Sequence, residues 1–342
     1  VYQTTGDASY ARKSFLKLRS VLAQSLNGNF VRDAIAESVW QYDWIYPALS
    51  PSERLEVIAG LNRLGDYIIG TGGSGGVRTG GSDEATGYYF GLAFLDLATG
   101  PENPRAGTWL TGDFVKPSGL PVGGLAAAGG GRSTLRNTIA DYVRLSEGGE
   151  WIESGMYNSS TVQYLLIGAE GIRTATGVDH FPEVAAYVQQ AARAYTFQVT
   201  SDLKQSIQWG DEQHPRDFVP RLFRHVTILG MLAGAAGETP AGRAAQGMVN
   251  DLIARYGYTG YLSAEPRGRM FMLYNPYASS GDWRSQGSMH FAPGIGHLTV
   301  RTPSSLFSGH VPEKTDADHE VKFLGNFQLY RNGEWALSHP IG

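Results

Sequence analysis

The sequence predicts a mainly α-helical protein that passes into antiparallel β structure toward its C-terminal end, and three observations predict it. Apolar residues recur at three- and four-residue steps as far as about residue 258, the signature of helices with one buried face. After about residue 260 the period changes to two, as in half-buried strands. Asn332-Gly333 then separates two short apolar runs, and this dipeptide tolerates the positive φ that both central residues of a two-residue hairpin need. The expected division is a helical domain over residues 1–262 and the start of an antiparallel β domain over residues 263–342.

The helical periodicity falls into segments 8–27, 31–45, 51–69, 83–99, 133–146, 157–172, 182–204, 216–236 and 240–257, broken by short turns rich in Gly, Pro or Asn. Ser50-Pro51-Ser52-Glu53 marks one start clearly, with a capping hydroxyl, a proline at the first helical position and a glutamate at the third. Helices that follow one another over short connections pair antiparallel and wind into a toroid or a bundle. Two Gly-rich stretches, 71–76 and 119–131, interrupt the series. The run at Gly129-Gly130-Gly131 has the wrong glycine spacing for a phosphate loop and no Lys, so both stretches are expected to be long surface loops.

Strands are expected at 271–274, 297–301, 327–330 and 334–337. So small a sheet would leave an open edge, and the β domain is therefore expected to be incomplete. The start at Val1 without Met and the stop at Gly342 are both expected to be cuts, so the missing signal segment carries no information on secretion.

Hydrophobic residues make up 42% of the 342 positions and charged residues 18%, the balance of a globular chain rather than a disordered one. The 28 basic and 32 acidic residues leave a formal charge of −4 with no basic stripe, which argues against a nucleic-acid partner. No apolar run reaches the roughly 18 residues of a membrane-spanning helix. Cysteine is absent, which excludes a disulfide framework and thiolate metal sites. His290, His297, His310 and His339 show no zinc-binding spacing, so neither a metal nor another cofactor is expected. Many of the 18 Tyr and 7 Trp stand beside Gly, Asn or Asp, which suits a groove where rings stack on sugar faces; Tyr is equally at home half-buried in a core.

Three stretches carry candidate chemistry. Trp151-Ile152-Glu153-Ser154-Gly155-Met156-Tyr157-Asn158 opens a helix after a Gly148-Gly149 turn. Trp209-Gly210-Asp211-Glu212-Gln213-His214-Pro215-Arg216 is a polar loop between two helices. His319 stands eight residues before Phe327, which begins a Phe-x-Leu-Tyr strand followed by the hairpin Gly333.

In this order the three stretches resemble the heparinase II/III-like polysaccharide lyases, whose members carry a Tyr at a helix start, then a Gly-Asp loop, then a His eight residues before such a strand. The resemblance implies an (α/α) toroid followed by an incomplete antiparallel β-sandwich, and β-elimination on a uronate-containing acidic polysaccharide. By the same likeness Tyr157 matches the catalytic tyrosine, His319 matches the active-site histidine of the β domain, and Asp211 orients its neighbours. Members act in the periplasm or outside the cell, and that location is expected here.

Elimination requires a base for the C5 proton, an acid for the departing oxygen and neutralisation of the uronate carboxylate. A tyrosine serves only where nearby cations or donors lower its pKa from about 10. Arg216, Arg221, Arg224 and His225 follow the Gly-Asp loop and are candidates for that field and for binding an acidic sugar, the alternative being an ordinary solvated basic face. Glu153, Trp209, His214 and Trp283 complete the candidate substrate-binding set, with Trp283 equally placed to be an anchor.

Four positions depart from the family pattern, the first being Asn158, which stands where the family has His after the tyrosine. The helix that should bring an Asn as carboxylate neutraliser starts Ser82-Asp83-Glu84, leaving Asn158 as the candidate for that role; Val321 and Phe323 replace polar positions after His319. These departures keep two other readings open. One is a glycoside hydrolase on a helical toroid, using a pair from Asp83, Glu84, Glu153, Asp211 and Glu212. The other is a glycan-binding protein without catalysis.

Overall fold

A computed structural model describes residues 1–71, 83–106, 146–151, 155–207, 218–257, 270, 273–311 and 325–337. It is mainly helical, with one five-stranded antiparallel sheet. The chain divides into two compact units: Val1–Thr138 with Gly168–Asp179, and Ile139–Ile167 with His180–Gly342.

In the first unit lie α1 (Tyr2–Thr5), α2 (Ala8–Leu22), α3 (Gly28–Ile45), α4 (Pro51–Thr71) and α5 (Asp83–Thr99). α2 turns Ala11, Phe15, Leu18 and Leu22 inward at helical steps, and α3 packs against α2, α4 and α5. α2 ends at Leu22, short of the periodic span 8–27, and Asn27, whose side chain accepts from the Phe30 N–H at 3.0 Å, caps the start of α3. At α4 the expected reciprocal cap is present: the Ser50 N–H donates to Glu53 Oε2 at 3.0 Å and the Glu53 N–H to Ser50 Oγ at 3.3 Å.

α6 (Gly155–Thr176) begins in the second unit and finishes in the first. The second unit continues with α7 (Phe181–Phe197), α8 (Phe218–Ala236) and α9 (Pro240–Tyr256), each packed on the other two. α7 stops at Phe197 although the apolar pattern runs on to 204. Thr200 is the cause: its Oγ1 accepts from the Gln205 N–H at 3.0 Å while its own N–H donates to the Gln205 carbonyl at 2.9 Å, so local hydrogen bonds replace the helical ones.

The sheet is a meander of β1 (Met289–Ala292), β2 (His297–Arg301), β3 (Ser305–His310), β4 (Phe327–Arg331) and β5 (Glu334–Leu337), paired in chain order. Pairing of Arg331 with Glu334 leaves Asn332 and Gly333 as the hairpin turn, at φ of 51° and 96°. The turn therefore has the backbone the dipeptide predicts. Sequence periodicity placed a strand at 271–274, yet the Tyr274 N–H donates to the Met270 carbonyl four residues back at 2.8 Å, a helical bond. Met270 and Tyr274 both close on Gly230 of α8, the same-face pairing that a four-residue step provides.

A small apolar cluster of Ile207, Ala292, Ile295, Leu306 and Tyr330, with Trp335 against it, lies under the sheet. The rest of the buried sheet face is polar, and α7 covers it at β1 and β2. No described helix is long and apolar enough to cross a membrane.

Candidate functional site

Alternation along three neighbouring strands sends His290, His297 and His310 to the same buried face. β2 and β3 are registered so that His297 stands opposite His310, and their rings stack with centroids 4.3 Å apart and planes 16° from parallel. Thr299 and Ser308 form the next pair of the ladder, both buried.

Into this face projects Glu150 from the turn at 146–151, with 0% of its surface exposed. Its Oε2 lies 2.6 Å from His297 Nδ1, while His297 Nε2 lies 2.7 Å from Ser308 Oγ. His297 is thus gripped at both ring nitrogens. Glu150 Oε1 lies 3.6 Å from His290 Nε2, and neither atom has a hydrogen bond among the described residues. Phe197 of α7 stacks on the His290 ring at 5.5 Å, and Arg193 of α7 donates to the Met289 carbonyl at 3.2 Å. Burial holds the His290 pKa below its ordinary value, against the opposing pull of the Glu150 carboxylate.

The turn carrying Glu150 is fitted closely to its surroundings. A Cβ at Gly148 would collide with the Ala292 main chain, and one at Gly149 with the main chain of Gln190; both glycines have positive φ, of 91° and 87°. The Gly148 N–H donates to Gln190 Oε1 at 3.0 Å and the Gly294 N–H to the Glu147 carbonyl at 3.0 Å. Trp151, fully buried, follows at once.

Seven residues after Glu150, Tyr157 sits half-buried in the first turn of α6, and its carbonyl accepts from Thr161 Oγ1 at 3.0 Å. The start of α6 near Gly155 agrees with the expected helix at 157–172. Among the other predicted positions, Glu153, Trp209, Asp211, His214, Arg216 and His319 lie outside the described residues. Asn158 falls on α6 and Arg221 and Arg224 on α8, placed by their main chain alone.

His225 and Trp283 are both buried. His225 Nε2 lies 2.7 Å from the Tyr195 carbonyl and so donates to it, and burial pushes the pKa of the ring down to about 4. It is a neutral packing residue between α8 and α7 at ordinary pH. Trp283 donates from Nε1 to Asp251 Oδ2 at 2.9 Å and holds guanidinium groups over its ring, Arg284 at 4.0 Å and Arg301 at 4.5 Å. This is the anchoring alternative for Trp283. Buried Arg301 also lies 4.5 Å over Phe197 and donates to the Thr196 carbonyl, and desolvation brings its pKa down to about 10.

Glu150, His290, His297 and Ser308 are the residues that sequence reasoning missed. Metal spacing was the wrong signal to seek, and among the described residues no group of three His, Asp or Glu is placed to hold a metal ion. The available signal was strand alternation: His297-x-Thr299-x-Arg301 and Ser308-x-His310 put polar side chains on one face, with Leu298, Val300 and Phe307 on the other. No family model matches the chain, and no curated protein matches it.

Proposed function

We propose that the protein is a polysaccharide lyase that cleaves a uronate-containing acidic polysaccharide by β-elimination, on an (α/α) toroid followed by an incomplete antiparallel β-sandwich. The observation that carries this reading is the position of Tyr157: it opens α6 at the end of a segment held by Glu150 and Trp151, within the motif order Tyr157, Asp211, His319. In this mechanism Tyr157 moves the proton, His319 partners it, Asp211 orients them, and Asn158 with Arg216, Arg221 and Arg224 neutralises the carboxylate. No cofactor is required, and the periplasm or the extracellular space is where such a substrate is met.

The exposed face of the sheet supports the sandwich. Met289, Phe291 and Phe327 are 56%, 53% and 51% exposed, and a second sheet packed about 10 Å away would cover them.

The test is ultraviolet absorbance of the protein with uronate polysaccharides, because elimination leaves a conjugated double bond. Absorbance should rise with at least one substrate, and Tyr157→Phe should lower kcat on the order of a thousandfold, the scale of a lost acid–base group, with KM nearly unchanged. New reducing ends without absorbance would replace elimination with hydrolysis.

A further inference from the structure

We propose that Glu150 is a positioning residue of the Tyr157 site: its buried carboxylate, shared between His297 and His290, pins the 146–151 turn to the inner face of the sheet and thereby fixes where α6 begins. The inference rests on the proposed function for its catalytic consequence and on geometry alone for the clamp.

The turn has contacts besides the carboxylate. Gly148 and Gly149 lie flush against neighbouring main chain, two hydrogen bonds tie the turn to Gln190 and Gly294, and Trp151 is buried beside it. A buried carboxylate is costly to desolvate, and such a group is often replaceable by apolar ones at little cost in stability, so its presence asks for a role beyond packing. What the carboxylate adds is direction. One oxygen is held by His297, itself fixed at its far nitrogen by Ser308, and the other faces His290. Neighbouring strands thus fix Glu150 laterally, and Tyr157 follows only seven residues later.

The clamp has a defined response to acid. The charged or titratable groups facing it among the described residues are Glu150 from the turn, His290, His297 and His310 from the sheet, and Arg193 from α7. Burial disfavours the charged form of the His290 ring and the Glu150 carboxylate opposes that effect, so protonation of His290 should lift the turn from the sheet as pH falls. Without the carboxylate that opposition is gone, and lifting should begin at higher pH.

Hydrogen exchange of the amides of 146–165 as a function of pH, in the full chain and in Glu150→Gln, reads the clamp without reference to catalysis. The expected result is an acid midpoint for loss of protection at least half a pH unit higher in Glu150→Gln, and a kcat for uronate elimination lower by ten- to a hundredfold at little change in KM, the scale of a misplaced catalytic group. An unchanged midpoint would overturn the inference, since Gln preserves the shape and only the charge differs. So would a shifted midpoint with unaltered kcat. A shifted midpoint in a protein that eliminates no uronate would uphold the clamp and remove the lyase reading instead. Should Glu150→Gln not fold, His290→Gln serves in its place: with one titrating ring fewer, its acid midpoint should move down, and no movement would overturn the inference.

Discussion

On the inner face of the sheet the strands present His290, His297, Thr299, Arg301, Ser308 and His310, all buried; on the outer face they present Met289, Phe291, Val300, Phe307, Phe327 and Leu329. The registers run Met289, Val300, Phe307, Leu329 and Leu337 into one continuous row across all five strands. Ordinary alternation places the apolar row inside. Here polarity and burial are reversed over most of the sheet, and only the Ile207–Leu306–Tyr330 cluster keeps the usual sense. The difference teaches that α7 and the sheet are joined by directional contacts, which hold one register, more than by area removed from water.

The largest expected effect breaks the inner face at Arg301. Arg301→Met removes the cation between Phe197 and Trp283 and leaves the Thr196 carbonyl without this donor, which should cost about 4 kcal/mol in urea unfolding. A loss under about 1 kcal/mol would show that polar contacts do not hold that face.

Acid is the next lever. The folded pKa of His225 is pushed from 6.5 to about 4 and that of His290 is lowered in the same direction, so the unfolded chain binds these protons more tightly. Their contribution is complete above pH 6.5 and is lost as pH falls toward 4, with His225 alone accounting for about 3 kcal/mol. Denaturant midpoints measured across that range should fall steadily with acidification, and His225→Phe should flatten the slope.

Smaller effects test the register and the outer face. Asn332→Ala places an ordinary side chain at φ 51° and should cost about 1 kcal/mol, whereas Asn332→Gly should be neutral. Phe291→Ser should change stability by no more than about 0.5 kcal/mol if the outer face is open to solvent. A loss above about 2 kcal/mol would mean that something covers it, as in a sandwich.

The fold was legible where local chemistry is strong. The Ser50–Glu53 cap and the Asn332-Gly333 hairpin each rest on interactions between near neighbours. β1 and β3 went unseen because Met-His-Phe-Ala and Ser-Leu-Phe-Ser-Gly-His carry polar residues at the buried positions, so their hydrophobic pattern points outward. The helix expected at 157–172 is present, with Tyr157 in its first turn. Glu150 escaped notice because no local pattern marks it: its partners come from β1 and β2, and only tertiary pairing brings them together.

That separation governs the order of assembly. Glu150 and His297 stand 147 positions apart, among the longest loops this chain has to close. Contacts that distant form late, after the helices between them are in place. During synthesis the carboxylate emerges well before the strands that receive it, and until β2 arrives it remains in water. The 146–151 turn is therefore expected to settle last, when the sheet docks, so that a slow phase in refolding would follow docking rather than helix formation.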